Sequence, residues 1–276
     1  MAEELNERTV REWGERYSNW ARWGDDDQHG TLNFITRERV LAACEIPQTG
    51  RVISCAFPFD PGPNPLRCGT QWDALAHVCY DGKMYNNREI RTTCDSATGV
   101  DFIDQFSRGV IGRGVLLDFP RYQRRPWLDD RTRIRPTDLD GCAEAFGVTI
   151  ESGDIVLVRT GMMARCKERA SWEPYVAEPA PGLSLHCARW IFEREIAAAA
   201  TDTWAIEARP SEVPNCSEPL HMVSLRNTGL LLGKVFDLDE LADVCAEDGR
   251  YEFLFVTAPL PIAGAVGSPI NPLAIK

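Results

Sequence analysis

Apolar and polar positions along the chain predict short strands mixed with short helices. Residues 51–57 (R-V-I-S-C-A-F) read as a strand, stopped by a proline-rich loop. Residues 114–119 (G-V-L-L-D-F) and 154–160 (D-I-V-L-V-R-T) are short apolar runs of the kind found in strands buried on both faces. The run I-A-A-A-A-T-D at 196–202 predicts a further buried strand, and residues 252–258 a last one. Thr36 is placed to N-cap a helix over 37–44, ended before Pro47. Thr137 is expected to cap a helix to Phe146, ended at Gly147. Ser184 is expected to cap a helix through Glu195 with Leu185, Ala188, Trp190, Ile191 and Phe192 on its apolar surface, and residues 238–246 predict another short helix. The tail at 259–273 carries too many prolines and glycines for a helix and reads as extended.

The first twenty residues alternate charge with aromatics (Trp13, Tyr17, Trp20) in a helical rhythm and read as an arm, one that could reach a neighbouring subunit. Residues 19–33 are rich in turn formers. Residues 122–135 form a basic surface excursion. Strands and helices do not alternate as in a barrel or a doubly wound sheet. The expectation is an arm and loop over 1–35 followed by one compact α/β domain over 36–276.

Composition narrows the class. A formal charge of −11 argues against a nucleic-acid partner, because phosphate binding needs a basic face. No apolar run is long enough for a membrane helix, and the start lacks the basic-then-apolar pattern of a secretory signal, so a cytoplasmic protein is expected. Ten scattered cysteines, none in C-x-x-C, read as reduced thiols and argue against a structural zinc site. Dinucleotide, phosphate-loop and G-x-S-x-G signatures are absent.

The candidate chemistry lies in L-R-C-G-T-Q-W-D-A-L-A-H, Leu66 to His77. Asp73 and His77 are four apart. Asp can hold a metal or orient a base, and His can carry a proton near neutral pH. The bland alternative is that Asp73 caps a helix starting at Ala74, with His77 packed one turn on. His221, in P-L-H-M, reads alone as a loop histidine, and Lys234 as a solvated lysine. His29 and His186 carry less promise, one in an acidic turn and the other one turn into a capped helix.

Five stretches together resemble the cyclase family of hydrolases, which includes bacterial kynurenine formamidase and isatin hydrolase: N-W-A-R-W-G-D-D-D-Q-H-G-T-L-N, C-G-T-Q-W-D-A-L-A-H, G-D-I-V-L-V-R-T-G, A-P-G-L-S-L-H-C-A-R-W-I and H-M-V-S-L-R-N-T-G-L-L-L-G-K. The tail G-A-V-G-S-P-I-N-P-L-A is similar to the longer members. The resemblance implies an α/β domain with a swivelling β/β/α core, a small-molecule substrate and a homodimer or homotetramer with pockets near the interface. Secondary metabolism is a fitting setting. It also implies the motif H-x-G-T-H-x-D-x-x-x-H. There the first two histidines and the aspartate hold zinc or manganese, the last histidine is the general acid/base, and a later histidine and a glutamate complete the metal shell.

On this chain Arg67 stands at the first histidine and Gln71 at the second, while Asp73 and His77 are kept. His221 corresponds to the later histidine. Lys234 falls at the glutamate, although a slip of one residue would put Gly233 there. Arg offers no lone pair, and Gln only a carbonyl oxygen. Asp73 and His221 remain as ligands, with His77 or Gln71 as possible extras. Either no cofactor or a weakly bound divalent metal (Zn or Mn) is therefore expected. Arg67 and Lys234 could instead hold a carboxylate or stabilise an oxyanion. In that arrangement Asp73 orients His77, Gln71 places a water or carbonyl, and Trp23 and Trp72 wall a planar substrate; core packing is the alternative for each Trp. Three functions follow: hydrolysis of an amide or lactone in a small cyclic or aromatic substrate, metal-independent cyclisation, dehydration or isomerisation of a biosynthetic intermediate, and non-catalytic binding.

Overall fold

A computed structural model describes residues 5–58, 69–90, 99–172, 175 and 179–276. Arg67 and the proline-rich loop before it lie outside the described residues. Eleven strands are present among the described residues: β1 (Val52–Ser54), β2 (Gln71–Asp73), β3 (Val110–Asp118), β4 (Arg133–Ile134), β5 (Ile155–Arg159), β6 (Gly182–Leu183), β7 (Ala198–Thr201), β8 (Leu231–Lys234), β9 (Glu252–Thr257), β10 (Gly267–Pro269) and β11 (Leu273–Ile275). Nine of them form one sheet in the order β1-β11-β9-β3-β5-β7-β8-β2-β10, and β4 pairs with β6 separately.

The central strands β3, β5, β7 and β8 run parallel, and every other pairing in that sheet is antiparallel. The centre is where the continuous apolar runs fall, as strands covered on both faces require. Side-chain alternation splits them between two cores. Val115, Leu117, Val156, Val158, Ala199 and Leu232 face one core. There they meet Leu139 and Cys142 of the helix Pro136–Ala145 and Trp190 and Ile191 of the helix Cys187–Glu193. Leu116, Ile155, Leu157, Ala198, Ala200 and Leu231 face the other, packed with Trp72, Phe236, Phe253, Phe255 and the helix Asp239–Asp248. This is a mixed α/β domain built on a curled nine-stranded sheet, in keeping with the cyclase-like α/β domain that the resemblance implied.

Several element ends differ from expectation. The helix Pro136–Ala145 is capped by Arg135, whose N–H donates to Asp138 at 2.8 Å, two residues earlier than a Thr137 cap would place it. Ser184 does not cap its helix directly: the helix is Cys187–Glu193, and Ser184 Oγ accepts from His186 N at 3.3 Å. Asp73 is no helix cap but the last residue of β2, and His77 closes a 3₁₀ turn, Leu75–His77, that starts after Ala74. The extended tail supplies two sheet strands, β10 and β11.

The helix Glu7–Arg16, capped by Asn6, forms in the arm. It lies against the chain's own segment Met222–Thr228, and Val10 and Tyr17 enter the core. No helix among the described residues is long and apolar enough to cross a membrane. The eight described cysteines are unpaired and six are buried, as small core residues would be.

Candidate active site

The site is built by strand register. β2 and β8 are antiparallel neighbours, with Gln71 opposite Lys234, Trp72 opposite Gly233 and Asp73 opposite Leu232. Side chains on a strand alternate faces, so Gln71, Asp73 and Lys234 share one face while Trp72 takes the other. The Gly-Thr corner before β2 is pinned by Thr70, whose hydroxyl donates to Val235 O at 2.5 Å and accepts from Phe57 N at 2.7 Å. Lys234, and not Gly233, therefore faces Asp73: Nζ lies 2.7 Å from Asp73 Oδ2. Gly233 is needed where it stands, since a Cβ there would lie 2.5 Å from Trp72 and 2.7 Å from Ala200 and Phe236.

Two imidazoles approach the same carboxylate oxygen. His77 Nε2 is 3.7 Å and His221 Nε2 3.9 Å from Asp73 Oδ2. His77 is carried in by its 3₁₀ turn, its N–H bonded to Ala74 O at 2.9 Å. Its side chain remains 28 % exposed, against 1 % for Asp73 and 0 % for His221. Burial is the main force on His77 and holds its pKa below the ordinary imidazole value; Asp73 opposes this, while Lys234 and His221 add to it. Neutral His77 is thus favoured.

His221 ends a short helical turn, Pro219–His221, that widens into a π-helical segment, Met222–Thr228. Its Nδ1 contacts Glu207 Oε1. A carboxylate accepts in such a contact, so the proton is placed on Nδ1. Glu207 also accepts the backbone N–H groups of Leu220 at 3.1 Å and His221 at 3.2 Å. It is a lone carboxylate in sequence, and nothing short of the fold points to it.

Strain surrounds these residues. Ile206, just before Glu207, and Val235, just after Lys234, both have φ +62°. β-branched side chains rarely adopt that region, and such outliers concentrate at functional sites. Buried polar atoms without hydrogen-bond partners cluster here too: Oδ1 of Asp73, Nδ1 of His77 and Nε2 of His221, while Oδ2 of Asp73 has only its ion pair with Lys234. Unsatisfied buried groups of this kind call for a ligand or a mechanistic role.

The aromatic wall is not the expected one. Trp72 is fully buried, edge-on to Phe236 and Phe255, and belongs to the core because strand parity turns it from Asp73. Trp23 lies edge-on to Phe34 beneath Arg22, in contacts that include no site residue. Phe57, Trp172 and Trp204 pack against a small core cluster of Met162, Met163, Cys166, Tyr175 and Val235, the residue after Lys234.

The surviving donors do not fit a tightly bound transition metal. Zinc wants three or four ligands at about 2.0–2.3 Å. Here the atom that would lead the shell, Asp73 Oδ2, already holds an ammonium at 2.7 Å. A doubly charged ion about 4 Å from that ammonium would be repelled by about 8 kcal/mol at an effective dielectric of about 20. Among the described residues, no three His, Cys, Asp or Glu side chains are grouped to hold a metal.

Comparison with known proteins agrees with the resemblance. The family model for Cyclase matches residues 62–208. The crystal structure of a novel cyclase is 33 % identical, covers 94 % of this chain and 99 % of its own, and superposes with a TM-score of 0.83. Isatin hydrolase A from Labrenzia aggregata, bound to benzyl benzoate, shares the fold at 19 % identity, with 81 % of this chain and 93 % of its own covered and a TM-score of 0.59. An isatin hydrolase bound to the product analogue thioisatinate is 18 % identical, with 84 % of each chain covered and a TM-score of 0.55. No curated protein matches the chain. The family model spans more than half of the sequence, and the novel cyclase nearly all of it; the chain belongs to the cyclase family.

Proposed function

We propose that the protein hydrolyses an acyl C–N or C–O bond, an amide or lactone, in a small cyclic or aromatic substrate. The observation that carries this reading is the approach of His77 to Asp73 at 3.7 Å, partly open to solvent and with its pKa lowered by burial. A neutral imidazole beside a buried carboxylate can take a proton from water and return it to a leaving group. Family membership supports an acyl-bond enzyme, and fold neighbours named isatin hydrolases make cyclic amides the first substrates to try. Partly buried Phe57, Trp172 and Trp204, against the cluster that contains Val235, offer ring faces that suit a planar substrate.

The test uses isatin, an aryl lactone and a formanilide as probes, with ring opening or deformylation followed by absorbance. Turnover abolished by His77→Ala, with unchanged circular dichroism, is the expected result. Full activity in that variant would make His77 structural.

A second reading is favoured by the Lys234–Asp73 contact: a fixed charge pair and an imidazole also suit ring closure, dehydration or isomerisation, in which no water attacks. Reaction in ¹⁸O-labelled water separates the two, since only hydrolysis places the label in the product carboxylate.

A further inference from the structure

The geometry points to a site in which the Lys234 ammonium stands where relatives would place a divalent cation, so that the reaction runs without a metal. Three observations carry this. Lys234 lies in β8 directly opposite Gln71, and its Nζ reaches Asp73 Oδ2 at 2.7 Å. Both side chains are buried, so the charge is held in place rather than solvated. The nitrogens of His77 and His221 lie 3.7 and 3.9 Å from the same oxygen, so Asp73 Oδ2, with the ammonium against it, is where the cluster converges. A buried lysine is tolerated when a carboxylate pairs with it, and a buried aspartate likewise. The ammonium therefore supplies one positive charge there, balanced by Asp73, without a bound ion.

A chemical role follows, and it rests on the hydrolytic reading above. An ammonium has three N–H donors, and Asp73 engages one of them. As His77 takes a proton from water, the hydroxide oxygen bonds to the acyl carbon and the carbonyl π pair moves onto oxygen. The remaining Lys234 donors stabilise that oxyanion as fixed charges placed in advance. The oxyanion pair then re-forms the carbonyl, the C–N or C–O bond breaks, and the leaving atom takes the proton from His77. Lys234 gives up no proton and no external reagent beyond water is consumed. His221 is anchored through Nδ1 by Glu207.

Elemental analysis of wild-type protein, expressed with zinc and manganese supplied, tests the charge replacement independently of any substrate. Less than about a tenth of an equivalent per chain is expected, with no change in melting temperature after dialysis against EDTA. One tightly held zinc or manganese per chain would overturn it. Lys234→Glu combined with Gln71→His restores two donor positions and should raise zinc uptake toward one equivalent, with a zinc-dependent thermal shift; unchanged uptake would overturn the assignment of Lys234 to the cation position. On whichever probe turns over, Lys234→Met should lower kcat by about 100-fold or more at unchanged metal content. Retained kcat would overturn the oxyanion role. If Lys234→Met does not fold, Lys234→Gln is read in its place, and the wild-type metal content decides the replacement itself. Metal-free protein that turns over no amide or lactone would sink the hydrolytic reading while leaving the charge replacement standing. Metal-loaded protein that hydrolyses them would do the reverse.

Discussion

Neutralising Lys234 should destabilise the protein far more than a surface lysine would. Nζ lies 2.7 Å from Asp73 Oδ2, and the two side chains are 7 % and 1 % exposed. At an effective dielectric of about 20, that separation corresponds to about 6 kcal/mol of attraction. Desolvation of both ions offsets much of it, so the intact pair contributes less than that to folding. Removing one partner is a different matter. Lys234→Met keeps most of the aliphatic stem but strands a buried carboxylate whose remaining neighbours, the nitrogens of His77 and His221, stand at 3.7 and 3.9 Å, beyond hydrogen-bond reach. The expected loss is about 3–5 kcal/mol. Asp73→Asn strands the ammonium and should cost a similar amount. The double variant buries two neutral groups and should recover most of the loss, leaving a coupling energy of about 3 kcal/mol. Urea unfolding at pH 7.5, followed by fluorescence and circular dichroism to establish a single transition, measures all four proteins. Additivity to within about 0.5 kcal/mol would refute the pairing.

The other expectations concern the supports of the site. Glu207→Ala removes the acceptor for His221 Nδ1 and for two backbone N–H groups, at a cost of about 3 kcal/mol, and ¹⁵N spectra should show His221 losing its fixed Nδ1–H tautomer; an unchanged tautomer would remove Glu207 from the site. Gly233→Ala drives a methyl to 2.5 Å from Trp72 and should cost about 1–3 kcal/mol in urea titration, while an Ala accepted without loss would mean that β8 is out of register. His77, held below the ordinary value mainly by burial, is neutral in the fold when its unfolded counterpart already binds a proton. Its contribution is full above about pH 6.5 and lost as pH falls through the lower folded value, so wild type should lose stability relative to His77→Asn on acidification below about pH 6.5. Parallel stability curves for the two proteins would contradict that shift.

What could be read in the sequence, and what could not, follows from where the information resides. The buried parallel strands β5 and β7 were legible because an unbroken apolar run has few other homes. The first half of β3 was not, because Gly112 and Gly114 break its pattern; Gly114 is there to let Phe253 pack across the strand, where a Cβ would stand 2.2 Å from the ring. β10 and β11 hide among prolines and glycines and are ordered by strands distant in sequence. The same division runs through the site. Asp73, His77, His221 and Lys234 were legible as residues, through motif and resemblance. Their meeting depends on β2–β8 register, and Glu207 on a left-handed residue at Ile206; neither leaves a local signature. Placing Trp72 against a substrate rests on its nearness to Asp73 in sequence; in the strand Gln71–Asp73 alternation turns it to the opposite face, and its core-packing alternative holds. Strand parity also accounts for the partner choice across the pair: residues 71, 73 and 234 share a face, 72 and 233 the other, so a lysine at 234 meets Asp73 while a lysine at 233 would be driven into Trp72 and Phe236. The charge that occupies the centre of this site is thus dictated by one residue's position in an alternating strand.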